Sequence, residues 1–172
     1  MKPHDFMMDV HPGRPARLEP MREDRPARVL LVDDLRGDVL LARRWLGAPR
    51  DVADGMACEL MIAVTVGEAL ERLHAVAAAG GETDLILLDI GLPGESGFSL
   101  LEKIRADPAF RRIPVIMCTG SAHEVDRRYA RLLGVVGYML KPLAPEVLRS
   151  VVERLPRLSV VETASGLKLM AA

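Results

Sequence analysis

The sequence predicts an α/β domain, a five-stranded parallel sheet that is open and doubly wound, with helices on both faces. Two observations predict it. Five short apolar runs alternate with five amphipathic segments between residues 28 and 155, which is the pattern of repeated strand–helix units. The most apolar run, Leu85, Ile86, Leu87 and Leu88, shows no polar alternation, as expected of a central strand covered on both faces.

The elements follow in order. VLLV, residues 29–32, is the first strand and ends in Asp33 and Asp34. Val39, Leu40, Trp45 and Leu46 mark the first helix, which Gly47 and Pro49 close. A polar stretch, residues 48–56, leads to a second strand near residues 58–64. Thr65 stands three residues before Glu68, a capping box that opens a helix with Ala69, Leu70, Leu73, Val76 and Ala77 on its apolar face. Gly80 and Gly81 end it. The third strand, LILL, ends in Asp89 and breaks into a loop containing Gly91, Pro93 and Gly94. A helix from about Gly97 is expected to bury Phe98, Leu101 and Ile104 before Asp107 and Pro108 stop it. VIMC, residues 115–118, is the fourth strand and ends in Thr119. Ser121 and Glu124 repeat the capping-box spacing, and Val125, Tyr129 and Leu132 form one apolar stripe on the helix that follows. The fifth strand, about residues 135–140, ends in Lys141 and Pro142. Pro145 suits the first turn of a last helix with Val147, Leu148, Val151, Val152 and Leu155 inward.

A chain of 172 residues accommodates one such domain with tails. Residues 1–26, rich in proline and charge, read as a flexible leader in which Met21 is an alternative start, and residues 27–155 as the domain. In the tail, residues 156–172, two apolar runs flank Ala164, Ser165 and Gly166 and predict a β-hairpin arm. Because the domain core is expected to close without it, the arm is expected to find cover by exchange in a two-fold homodimer. A net charge of −1 argues against binding to nucleic acid or an acidic membrane surface, the arginines of residues 14–28 being a local exception. Cys58 and Cys118 lie inside apolar runs and predict core thiols in a reducing compartment, the cytoplasm. No apolar run approaches the roughly 20 residues that span a bilayer, and no signal peptide is evident. His4, His11, His74 and His123 are too scattered for a metal site.

In an open parallel sheet, ligands meet the carboxyl ends of the strands. Asp33, Asp34, Asp89, Thr119 and Lys141 all stand there. Each alone has a plain reading as a turn former, a cap or a solvated charge. Together they suit one task. Crowded carboxylates repel unless a divalent cation joins them, and a hard, oxygen-loving ion such as Mg²⁺ fits. A metal, an ammonium and a hydroxyl around one carboxylate suit a phosphoryl group, with Asp89 as the nucleophile that becomes an aspartyl phosphate.

The stretches VLLVDD, LILLDIGLP, MCTG and GYMLKP resemble the landmarks of bacterial response-regulator receiver domains, over about residues 27–155. The resemblance implies a flavodoxin-like strand order 2-1-3-4-5. It implies Asp89 as phosphoacceptor, with Asp33, Asp34, Asp89 and the Gly91 carbonyl around Mg²⁺. Thr119 and Lys141 would read the phosphoryl group, Tyr138 would change rotamer on activation, and a cis peptide bond would precede Pro142. It further implies a two-component switch that takes its phosphoryl group from a histidine kinase and catalyses only its own phosphorylation and dephosphorylation. Only a short tail follows Leu155, so output is expected through contact with a downstream protein, or through a phosphate shuttle to a histidine phosphotransfer protein. Gly91 and Gly120 depart from the family pattern and leave room beside Asp89. The longer link after the first helix and the loop GLPGESG resemble the single-domain regulators of phytochrome kinases. The competing aspartyl-phosphate hydrolase needs a second acid two positions after its nucleophile, where this chain has Gly91.

Overall fold

The computed structural model describes residues 25–47 and 55–172. Its main sheet contains β2 (Arg28–Val32), β4 (Glu59–Ala63), β5 (Leu85–Leu88), β6 (Val115–Thr119) and β7 (Gly137–Leu140), in the order β4-β2-β5-β6-β7. Every neighbouring pair is parallel. Counting these five strands alone, this is the expected order 2-1-3-4-5.

Strand side chains alternate between faces, and the core divides accordingly. Val29, Leu31, Leu85, Leu87, Ile116 and Cys118 pack on one side with Ala42 and Leu46 of α1 (Arg36–Leu46) and Leu148 and Val152 of α5 (Pro145–Val152). Leu30, Val32, Ile86, Leu88, Val115 and Met117 face the other way. There they meet α2 (Val66–Ala78), α3 (Gly97–Ala106) and Ala130 of α4 (Glu124–Leu132). Thr65 caps α2 as expected, its hydroxyl accepting the Glu68 N–H at 3.1 Å, while the Glu68 carboxylate accepts the N–H of Val64, one residue before the cap, at 3.0 Å.

Several expectations are corrected. Ser121 does not cap α4; its hydroxyl bonds the Asp126 carboxylate, and His123 occupies the cap position without a side-chain bond. The α4 stripe points outward, with Val125 76% and Leu132 83% exposed, because the helix packs on the sheet through Ala130. Leu40 and Val147 are likewise exposed, Ala77 faces solvent, and Phe98 is half-buried with its ring edge against Tyr129. The leader to residue 24, its histidines and Met21, and most of the polar link lie outside the described residues. Met56, assigned to that link, is fully buried in β3 (Met56–Ala57).

A second sheet forms around the tail. β8 (Leu158–Thr163) and β9 (Gly166–Ala171) make the expected hairpin, with Thr163 opposite Gly166 across the turn. On its other edge β9 pairs antiparallel with β1 (Arg25–Pro26) and parallel with β3. Arg25, read as leader, thus belongs to the folded body, where it clamps Asp84 through two bonds of 2.7 and 3.0 Å. Leu158, Leu169 and Ala171 join the same core cluster as Val29 and Leu31. The premise that the core closes without the tail is therefore corrected: the chain itself covers Leu158, Leu169 and Ala171, while Val161 stays exposed. Replacing the fully buried Leu169 by alanine is expected to cost about 3 kcal/mol, read as a lower midpoint in denaturant unfolding.

Candidate phosphoacceptor site

Parallel pairing with near-level strand ends gathers at one edge Thr119, the last residue of β6, and the polar residues that follow β2, β5 and β7. Asp33, Asp89 and Thr119 are 2%, 5% and 2% exposed, while Asp34 lies open. One oxygen from each of Asp33, Asp34 and Asp89 falls within 4.8 Å of the others. Lys141 reaches in from the end of β7, its Nζ 2.8 Å from Asp33 Oδ2 and 2.8 Å from Asp89 Oδ2. Its peptide bond to Pro142 is cis.

Backbone groups hold these side chains in place. The Leu35 N–H donates to Asp33 Oδ1 at 2.9 Å, and the Gly91 N–H to Asp89 Oδ1 at 3.3 Å. Gly97, at the start of α3, donates to the Ile90 carbonyl at 2.8 Å. A Cβ there would stand 1.9 Å from the Asp89 carbonyl oxygen, so only glycine lets α3 begin against the loop that carries Asp89. A Cβ at Gly91 would meet only Asp89 Oδ2, at 3.9 Å, and one at Gly120 nothing within 4 Å. Gly91 thus leaves open space beside Asp89, while a side chain at Gly120 would begin in the open.

Sequence reasoning missed one contributor. Asp38, in the first turn of α1, places Oδ2 2.7 Å from Lys141 Nζ. The available signal was an acidic residue opening a helix that starts at this sheet edge. Three carboxylates thus share one ammonium, with Asp34 close to two of them. Burial disfavours charge on Lys141, yet hydrogen bonds to Asp33, Asp38 and Asp89 overcome it and raise its pKa. Burial also pushes the Asp33 carboxyl above its usual range, and Lys141 and the Leu35 N–H only partly oppose that. One ammonium with three carboxylate neighbours stays charged, and the surplus negative charge weighs on the most buried carboxyl.

Thr119 connects this edge to the surface. Its hydroxyl accepts the Ser121 N–H at 3.3 Å, and the Ser121 carbonyl accepts the Tyr138 hydroxyl at 2.9 Å. Arg127 of α4 lies over the Tyr138 ring, 5.2 Å from its centroid. A cleft of about 960 Å³ lies elsewhere, lined by Thr83, Asp84, Ile113 and Pro114 where β5 and β6 begin. None of the acidic-edge residues lines it, so chemistry rather than cavity size locates the site. Cys58 and Cys118 are free, and burial pushes both thiols up to about 12.

Comparison with known proteins agrees with this geometry. The family model described as the response regulator receiver domain matches residues 29–153. The chain belongs to that family. Among its receiver relatives, the cyclic di-GMP phosphodiesterase response regulator RpfG of Xanthomonas campestris pv. campestris is 33% identical over 129 residues, 75% of this chain and 32% of RpfG. The chain thus spans about a third of that relative's length. The phosphorylated cyanobacterial phytochrome response regulator RcpA superposes with a TM-score of 0.61 at 27% identity, covering 75% of this chain and 93% of RcpA. The Mn²⁺-bound response regulator Rcp1 does so at 0.60 and 26%, covering 75% and 94%. Receiver membership makes this a chain of two-component signalling, with a histidine kinase implied as phosphodonor.

Proposed function

We propose that the chain is a phosphorylation-dependent switch that accepts a phosphoryl group on Asp89. The observation that carries the reading is a buried Asp89 carboxylate with Lys141 at 2.8 Å and two further carboxylates converging on it. An Asp89 oxygen attacks the phosphorus of a phosphohistidine. The new O–P bond forms as the P–N bond breaks, and the electron pair returns to the imidazole. Lys141 and Thr119 then hold phosphoryl oxygens by ion pair and hydrogen bond.

The donor set fits a hard divalent cation: three carboxylate oxygens lie within 4.8 Å of one another, with a shortage of positive charge around them. Asp33, Asp34, Asp89 and the Gly91 carbonyl would hold Mg²⁺, which when bound supplies charge neutralisation for the transferring group. That Rcp1 has a Mn²⁺-bound form supports the reading. Asp34→Ala is expected to weaken Mg²⁺ binding at least about tenfold, since one carboxylate of a small set is lost. Titration calorimetry checks it, and unchanged affinity places the ion elsewhere.

Output is read as contact. Tyr138 and Arg127 join the Thr119 loop to α4, where Val125 and Leu132, seven residues apart on one helix face, stand exposed. Apolar residues grouped on one face suit a protein partner. Lys141→Ala is expected to keep slow phosphorylation yet lose the change in that face, because the ion pair to the phosphoryl group is what distinguishes the two states. Amide chemical shifts of α4 before and after phosphorylation read this out; a normal shift pattern in the variant contradicts it. RcpA, named a phytochrome response regulator, makes a phytochrome-type kinase the first donor to test.

A further inference from the structure

Lys141 meets three carboxylates, and they differ in what they can do without it. Asp33 Oδ2, Asp89 Oδ2 and Asp38 Oδ2 lie 2.8, 2.8 and 2.7 Å from its Nζ. Asp33 and Asp89 belong to the convergent group of oxygens, and Asp38 does not. A divalent ion at that group draws on the same two carboxylates that hold the ammonium. Asp38 is then the partner that Lys141 keeps. Its side chain is 28% exposed, against 2% for Asp33, so water can take over when the ammonium leaves. It also sits in the first turn of α1, where the helix dipole favours a negative charge.

We propose that Asp38 is a positioning residue that holds the Lys141 ammonium at the site in the unphosphorylated chain and competes with the phosphoryl oxygens for it. The inference rests on Asp89 being the phosphoacceptor. Two arrangements of one side chain follow: Lys141 on Asp38 at rest, and Lys141 on the phosphoryl group after transfer. A ligand shifts such an equilibrium only by its differential affinity. Asp38 therefore sets the part of the phosphoryl contact that Lys141 must first surrender.

A double-mutant cycle with Mg²⁺ and beryllofluoride, a tetrahedral stand-in for the phosphoryl group, tests this by titration calorimetry. Asp38→Asn is expected to bind beryllofluoride about fivefold more tightly than the parent, the worth of a partly exposed ion pair. Asp38→Glu is expected to restore the parental affinity. In a Lys141→Met background, Asp38→Asn is expected to change nothing. Equal tightening in both backgrounds would mean that Asp38 acts as a diffuse negative charge, and would overturn the role; so would no tightening in the parent background. Failure of the parent chain to bind beryllofluoride with Mg²⁺ would overturn the phosphoacceptor reading and the Asp38 role together. Thermal unfolding of each variant separates these outcomes from loss of fold.

Discussion

Asp89→Asn is expected to abolish labelling by acetyl phosphate while leaving the fold intact. The amide is a poor nucleophile, so the O–P bond does not form. Stability should stay within about 1 kcal/mol of the parent or rise, because the substitution removes one of several crowded carboxylates. Lys141 still has Asp33 at 2.8 Å and Asp38 at 2.7 Å, so no buried cation is stranded. Labelling with radioactive acetyl phosphate and a denaturant melt check the two halves separately. An Mg²⁺-dependent, acid-stable and base-labile label in the variant would remove Asp89 from its role.

Gly97→Ala is expected to show the opposite split, losing stability before chemistry. The added Cβ would lie 1.9 Å from the Asp89 carbonyl oxygen, 2.9 Å from its carbon and 3.1 Å from Ile90 Cα. All three are backbone atoms and cannot step aside by changing rotamer. Either α3 moves outward, taking the buried Leu100, Leu101 and Ile104 with it, or the Asp89 loop moves. The expected cost is about 3 kcal/mol or more, read as a lower unfolding midpoint, with slower phosphorylation of the molecules that remain folded. A variant as stable as the parent would show that the helix start and the loop are not in contact in solution.

Much of the fold and of the site's membership was legible in the sequence, and the reason differs by element. LILL was legible because a strand covered on both faces needs no polar alternation, and β5 is fully buried along its length. The companions of Asp89 were legible because parallel strands place their carboxyl ends together, so residues distant in sequence could be grouped by strand alone. Asp38 was hidden, since its bond to Lys141 joins a helix turn to the end of a strand a hundred residues later. The α4 stripe misled because periodicity gives an apolar face and not its direction; Ala130 packs inward and Val125 and Leu132 face out. Ser121 failed as a cap because α4 begins only at Glu124, two residues too late, so the Ser121 oxygen accepts the His123 N–H while its proton goes to Asp126. The hairpin turn was written in Ala164, Ser165 and Gly166, while its cover was not, because β3 lies in what reads as a polar link.

The central claim is that one carboxylate, Asp89, takes and holds the phosphoryl group. Incubation of the intact chain with Mg²⁺ and acetyl phosphate, followed by mass spectrometry of the whole protein and of its peptides, tests this most directly. A single phosphoryl group per chain is expected, dependent on Mg²⁺, stable in acid, lost in base, and mapped to the peptide that contains Asp89. A label mapped to another residue, or steady release of phosphate over many turnovers with no labelled protein, would contradict it.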